Sequence, residues 1–173
     1  LLIICLAAIF ADQLAPAHPT KVDFTYAYAP PAWLQGGSIE RIFGADQLGR
    51  DLLSRIMYGA RISLIVGLGA VVTTAILGTA VGLIAGYFGG RVDNVISTII
   101  DIKLSIPPIL FLLLLALVIG RSVTGIIIAL TVLGWTTYAR MVRGQVMTVK
   151  ERDFVALAKV AGSSPWRIMV IHI

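Results

Sequence analysis

Charge is scarce in this sequence. Only 13% of its 173 residues are Asp, Glu, Lys or Arg, against about 25% in an ordinary soluble domain. With 58% hydrophobic residues and a mean hydropathy of +0.92, that deficit excludes a soluble globular domain and puts the chain in the membrane class. Cysteine is almost missing as well. Cys5 stands alone, which excludes an internal disulfide framework and a Cys-based zinc site; in its apolar run it reads as lipid- or helix-facing filler. No Gly-x-x-x-x-Gly-Lys-Ser/Thr loop is present, so nothing here cradles the phosphates of ATP. There is no His-Glu-x-x-His, and the two histidines, His18 and His172, complete no Ser/His/Asp constellation. Both read as structural, and no catalysis is expected on this chain. The basic tail lacks the interleaved aromatics of a nucleic-acid surface.

What is present is organised by where the few charges fall. Residues 1–11 are uncharged and read as the end of a first transmembrane helix, with the chain as part of a longer protein. A secreted-leader reading rests on "APA" at 15–17, which resembles a cleavage site, but the basic segment that should precede it is absent. Residues 12–60 form a polar loop holding four of the seven prolines, expected to be extended and irregular. Within it, "DQLGRDLLSRIMYGAR" places Leu52, Leu53, Ile56 and Met57 at helical spacing with Arg50, Asp51, Ser54 and Arg55 between them. That predicts a short interfacial helix leading into the next span.

Residues 61–173 read as the main transmembrane domain. Residues 62–90 carry no charge and are long enough at 1.5 Å per residue to cross a hydrocarbon core of ~30 Å. The predicted spans are about 62–88, 94–119 and 122–139, with tight turns at Gly89, Gly90, Arg91 and Asp93 and at Arg121. From residue 139 on, six Lys/Arg face two acids, whereas 12–60 holds four Lys/Arg and five acids. The positive-inside rule then makes 140–170 a cytoplasmic loop and 12–60 external. The fold class is an all-α polytopic membrane protein, a bundle of transmembrane helices.

Two features inside the spans stand out. Ala70, Thr74, Gly78, Gly82, Gly86 and Gly90 recur every four residues, a small-residue stripe that lets another helix approach closely where lipid offers no hydrophobic drive. The high glycine content of membrane helices in general is the competing explanation. In "DIKLSIPPIL", Pro107 and Pro108 kink the third span, and Asp101 with Lys103 puts ionisable groups within two turns of its cytoplasmic end. Asp101, Pro107 and Pro108 are candidates for a translocation path or gate. Against that, Lys103 can snorkel to the interface, and residues two apart do not share a helix face.

The tail "ERDFVALAKVAGSSPWRIM" turns amphipathic. Val155, Ala158 and Ala161 fall on one helical face with Lys159 off it; Gly162 ends the helix; Ser164 caps a second helix that begins at Pro165. A helix of about 12 Å presenting Ala156 and Ala158 either enters a groove on a partner or rests on lipid headgroups, and the pattern alone does not choose.

This segment resembles the Glu-Ala-Ala loop of bacterial ABC importer permeases, whose pattern is Glu-Ala-Ala, three residues, Gly; here it runs Ala156, Leu157, Ala158, then Gly162. "YARMVRGQVMTVKERDFV", "FGADQLGRDLLSRIMYGARISL" and "GLIAGYFGGRVDN" are similar to the C-type permease subunits of peptide and nickel importers, as is Asp101 ahead of Ile106-Pro107 in the third span. The likeness runs from Phe43 to the end of the chain. Ala156 replaces the family's Glu, Leu157 its first Ala, and Lys103 a residue that is usually apolar.

The resemblance implies a six-span permease in the bacterial inner membrane, paired with a homologous permease subunit. It implies two cytoplasmic ABC ATPases that hold ATP and Mg, and an extracytoplasmic binding protein that delivers peptides or nickel. No cofactor sits on this chain. Asp153, Phe154, Ala156, Leu157, Ala158, Gly162 and Ser164 would form the coupling helix that contacts an ATPase. The remaining function classes are a secondary transporter or channel, which calls for an inverted repeat and more mid-span charge, and a membrane anchor without transport.

Overall fold

A computed structural model describes residues 2–120 and 122–173, without the side chain of His172. The turn expected at Arg121 and the structural role expected for His172 lie outside the described residues. The described residues form helices joined by loops and short 3-10 turns. They divide into two compact units, residues 1–67 and 68–173.

The first unit holds α1 (Leu2–Ile9), α2 (Ala11–Leu14), two 3-10 turns and the start of α3 (Leu52–Phe88). The loop between α2 and α3 is irregular, but it is tied rather than extended, and three aspartates tie it. Asp46 Oδ1 accepts from the backbone N–H groups of Leu48 and Arg50 at 2.9 and 3.1 Å, and its Oδ2 accepts from Arg50 Nε at 2.8 Å and from Arg55. The Arg50 side chain, foremost among these donors, holds the Asp46 carboxyl down at about 2. Asp51, just ahead of α3, accepts from the Ser54 N–H at 2.7 Å and its hydroxyl at 2.6 Å, the geometry of a helix N-cap. Asp12 of α2 reaches Tyr58 at 2.7 Å and Arg61 at 2.8 Å on α3.

The short interfacial helix expected ahead of the second span is not separate. One helix runs without a break from Leu52 to Phe88. Arg55 and Arg61 punctuate the sequence, but a charge does not interrupt the backbone ladder. No proline lies in this stretch, and both arginines find carboxylates, Arg55 on Asp46 of the loop and Arg61 on Asp12 of α2.

In the second unit, α3 passes to α4 (Gly90–Ser105) through a single residue, Gly89, at φ 64. The next predicted span is broken rather than kinked. Between α4 and α5 (Pro108–Ile119) the axis turns by 93°. Each proline forces the residue before it out of the helical region, so Ile106 and Pro107 are both extended, at ψ 125 and ψ 128. Among the described residues two helices are long and apolar enough to cross a membrane, α3 and α6 (Val123–Val149), or three if the bent α4–α5 pair counts as one span. The helix expected to close at residue 139 continues to Val149, because the basic residues that end the apolar run do not end the helix.

The small-residue stripe of α3 lies against α6. A Cβ added to Gly78 would stand 2.6 Å from the Trp135 carbonyl oxygen, one on Gly82 2.5 Å from that of Ala139, and one on Gly86 3.0 Å from that of Arg143. Ala70 and Thr74 continue the row and are buried. Thr73 and Thr131 hydroxyls meet across the helices at 2.5 Å. Gly90 does not belong to the stripe. It opens α4 at φ 52 with empty space where its Cβ would be; its glycine serves the turn.

Candidate functional site

Residues 153–173 form an elbow. Helix α7 (Asp153–Val160) has no side-chain cap at Arg152, and Asp153 sits in its first turn, where a negative charge opposes the helix dipole. Its other end is closed by glycine. Gly162 adopts φ 78; its N–H donates to Lys159 O, and the Ser163 N–H donates to Ala158 O, both at 3.0 Å. This pair of bonds is the Schellman arrangement. Ser164 Oγ then accepts from the Arg167 N–H at 3.3 Å with Pro165 in the first helical position. The chain continues as α8 (Pro165–Arg167) and a π turn, Ile168–His172.

The elbow has an anchored face and an open one. Val155, Ala158 and Ile168 are buried together and pack on Tyr87 at the end of α3 and Val149 at the end of α6. At 100° per residue, Asp153, Ala156, Leu157 and Val160 point the other way. Leu157 is 68% and Val160 87% exposed. Phe154 flanks this face and is half exposed, while Gly162 and Ser164 stand exposed beyond the helix end. Ala161, expected on the buried face, is exposed: it is the C-cap, where the chain already leaves the helix. The inner face of α7 thus rests on the ends of α3 and α6. Lys150, just past α6, joins those two ends by donating to Gly86 O at 2.9 Å.

The candidates of the third span sit along the seam between α4 and α6. Arg143 binds Asp93 through both Nε and Nη2, the latter at 2.6 Å. Asp101 pairs with Arg140 at 3.1 Å, and both side chains stay more than half exposed. Asp101 is about three turns into α4 by residue count, deeper than expected. Lys103 does not snorkel. Its Nζ donates to Leu133 O and to Thr136 Oγ1, the latter at 3.2 Å. Pro107 and Pro108 form the break and lie exposed beside this seam.

The partners of Lys103 and Arg143 lie 30 and more residues away, out of reach of any local pattern. Opposite charges near facing span ends, Asp93 and Arg143, were the one available signal. Among the described residues no group of three metal-ligating side chains converges.

The pattern of the family described as "Binding-protein-dependent transport system inner membrane component" matches residues 78–173. The chain is 40% identical over 173 residues to the dipeptide transport system permease protein DppC of Haemophilus influenzae, covering 100% of this chain and 59% of that protein. It is 44% identical over 171 residues to the dipeptide transport system permease protein DppC of Escherichia coli K12, covering 99% and 57%. To the di/tripeptide transport system permease protein DppC of Pseudomonas aeruginosa it is 36% identical over 171 residues, covering 99% and 56%. The chain thus spans somewhat over half the length of these curated relatives.

Proposed function

We propose the role of this chain on the ground that it belongs to the family of binding-protein-dependent transport system inner membrane components. It serves as part of a transmembrane permease subunit of an ATP-driven importer of peptides, working by alternating access. A homologous permease pairs with it, two separate ATPase subunits bind and hydrolyse ATP with Mg, and an external binding protein delivers the cargo. The relatives' names, dipeptide and di/tripeptide permeases, support short peptides over nickel.

One observation carries this reading: α7 is fastened to the ends of both α3 and α6 by Val155, Ala158 and Ile168 while its opposite face, Ala156, Leu157 and Val160, is open. A surface so divided suits a contact through which a cytoplasmic motor moves the spans as rigid bodies. A helix lying passively on headgroups has no use for so firm an attachment to two spans.

The test is site-directed crosslinking in the assembled transporter. Cys5, the sole cysteine of the chain, is changed to Ser, and Leu157→Cys is introduced. The new thiol is expected to crosslink to the ATPase subunit, with a yield that changes on adding ATP. Labelling of that thiol from outside intact cells by a membrane-impermeant maleimide, or no ATPase crosslink at any neighbouring outward position, would refute the coupling role.

A further inference from the structure

The seam between α4 and α6 carries charge for which the elbow has no use. Lys103 has no carboxylate partner among the described residues; both of its acceptors are neutral oxygens. One of them belongs to Thr136, which is 1% exposed and lies about one turn before Arg140, where the apolar run of α6 ends. An ammonium held on neutral oxygens within a predicted span, without a counter-charge, is costly and points to function. One turn further along the same face of α6, Arg140 pairs with Asp101. Arg140 already has the carboxylate of Asp101, so Lys103 is the cation of the three left without one, and a carboxylate is the group it can take. Space adjoins it: a cavity of about 340 Å³ is lined by Arg140 and by Thr136, whose hydroxyl Lys103 Nζ reaches at 3.2 Å, and a second of about 290 Å³ by Asp101 and Arg140.

We propose that this seam is a way-station for the zwitterion of a short peptide, with Lys103 taking the free α-carboxylate and Asp101 the α-ammonium. The proposal rests on the peptide-import reading above. A peptide brings that carboxylate at its C-terminus, and its N-terminal ammonium joins Arg140 on Asp101, whose side chain is exposed and gives only Oδ1 to Arg140. Spacing favours two residues. Thr136 and Arg140, which Lys103 and Asp101 contact on α6, lie about one turn, about 5.4 Å, apart along the helix, and two extended residues reach about 7 Å. A longer peptide engages only one of the two charges. The competing role for Lys103 is a plain latch that fastens α4 to α6.

The experiment is saturation-transfer difference NMR on the assembled transporter, full-length permease with its partner subunits, in detergent without binding protein. Dialanine is expected to give methyl signals at least fivefold stronger than dialanine amide, which lacks the carboxylate. Lys103→Met removes that preference and Lys103→Arg keeps it. Lys103→Gln still has an N–H for Leu133 O, so a latch survives in it while the charge does not; it too is expected to lose the preference. Asp101→Asn weakens the dialanine signal and leaves that of N-acetyl-dialanine unchanged. The proposal is overturned if wild type gives no dialanine signal, or if Lys103→Gln keeps the carboxylate preference.

Uptake into proteoliposomes, with binding protein and ATP, separates the two readings. Peptide import without a Lys103-dependent preference sinks the way-station alone. Lys103-dependent binding without any ATP-driven uptake sinks the import reading alone.

Discussion

Arg143 on α6 holds Asp93 on α4 in a two-point fork, Nη2 lying 2.6 Å from Oδ2 while Nε donates to Oδ1. The Asp93 side chain is 12% exposed and that of Arg143 29%, so the pair is partly shielded from water. Ser97 adds a longer hydrogen bond to the same carboxylate at 3.4 Å. This fork is the firmest polar fastening between α4 and α6.

Its loss should therefore be measurable. Asp93→Asn is expected to destabilise the protein by about 1–3 kcal/mol, between the values typical of exposed and buried pairs. Arg143→Lys should recover only part of this, because an ammonium cannot make the parallel two-point contact. The thermal midpoint of the detergent-solubilised protein, followed by size-exclusion fluorescence, reads both. Equal stability of Arg143→Lys and wild type would mean that charge alone matters here.

The α3–α6 contact admits a sharper contrast. At Gly82 an added Cβ would meet a backbone carbonyl oxygen 2.5 Å away, and backbone cannot step aside as a flexible side chain does. Gly82→Ala is expected to force the helices apart, with a cost of about 1–3 kcal/mol as for other overpacked sites, and Gly82→Leu to abolish the folded species. Gly59, on the same helix, has nothing within 4 Å of its would-be Cβ. Gly59→Ala should be neutral or stabilising by up to about 1 kcal/mol from helix propensity. Similar effects of alanine at both glycines, in the same thermal assay, would contradict the close contact.

At the elbow the constraint is conformational rather than steric. Gly162 has φ 78, and an added Cβ would meet nothing within 4 Å. Gly162→Val should cost about 1–2 kcal/mol in backbone strain and uncouple transport from ATP hydrolysis, leaving insertion intact. Gly162→Asn, which tolerates the left-handed region, should retain function. Ala156→Glu adds a carboxylate on the open face of α7 and should leave assembly with the ATPase intact or tighter. Binding-protein-stimulated ATPase activity in proteoliposomes is the readout. Loss of ATPase binding in Ala156→Glu would mean that the open face is not the contact.

The loop of the first unit should be sensitive to acid. Asp46 titrates at about 2 in the folded protein against 3.8 for the free side chain, chiefly because Arg50 hydrogen-bonds its carboxylate. A lowered folded value stabilises the loop above the unfolded value, and that contribution fades as pH falls through about 2. Pepsin cleavage within residues 20–51 is therefore expected to rise between pH 4 and pH 2. In Asp46→Asn it should be high throughout this range. A pH-independent rate in wild type would exclude the carboxylate as the tie.

How much of this was legible in advance depends on the distance over which each feature is decided. The helix ends at the elbow are decided within one turn. Gly162 takes the left-handed position because it has no Cβ, and Ser164 caps because its hydroxyl lies beside the free N–H of Arg167. A four-residue recurrence of small side chains is likewise local, and it marked the face of α3 on which Gly78, Gly82 and Gly86 now meet α6. Hydropathy alone was enough for the membrane class. Charge, however, was a poor guide to where helices stop. It divided α3 from a helix it is continuous with, and closed α6 ten residues early, because the backbone ladder is indifferent to side-chain charge.

Sequence by itself determined the apolar helices, the residues that could begin and end them, and the small faces on which they could touch. Tertiary structure alone decided the 93° break between α4 and α5, the gathering of the first-unit loop around Asp46 and Asp51, and the placing of Lys103 against Leu133 and Thr136. The first set follows from hydrogen bonding and sterics within a few residues of chain. The second depends on which groups from distant segments arrive beside one another, and only packing of the whole unit brings them there.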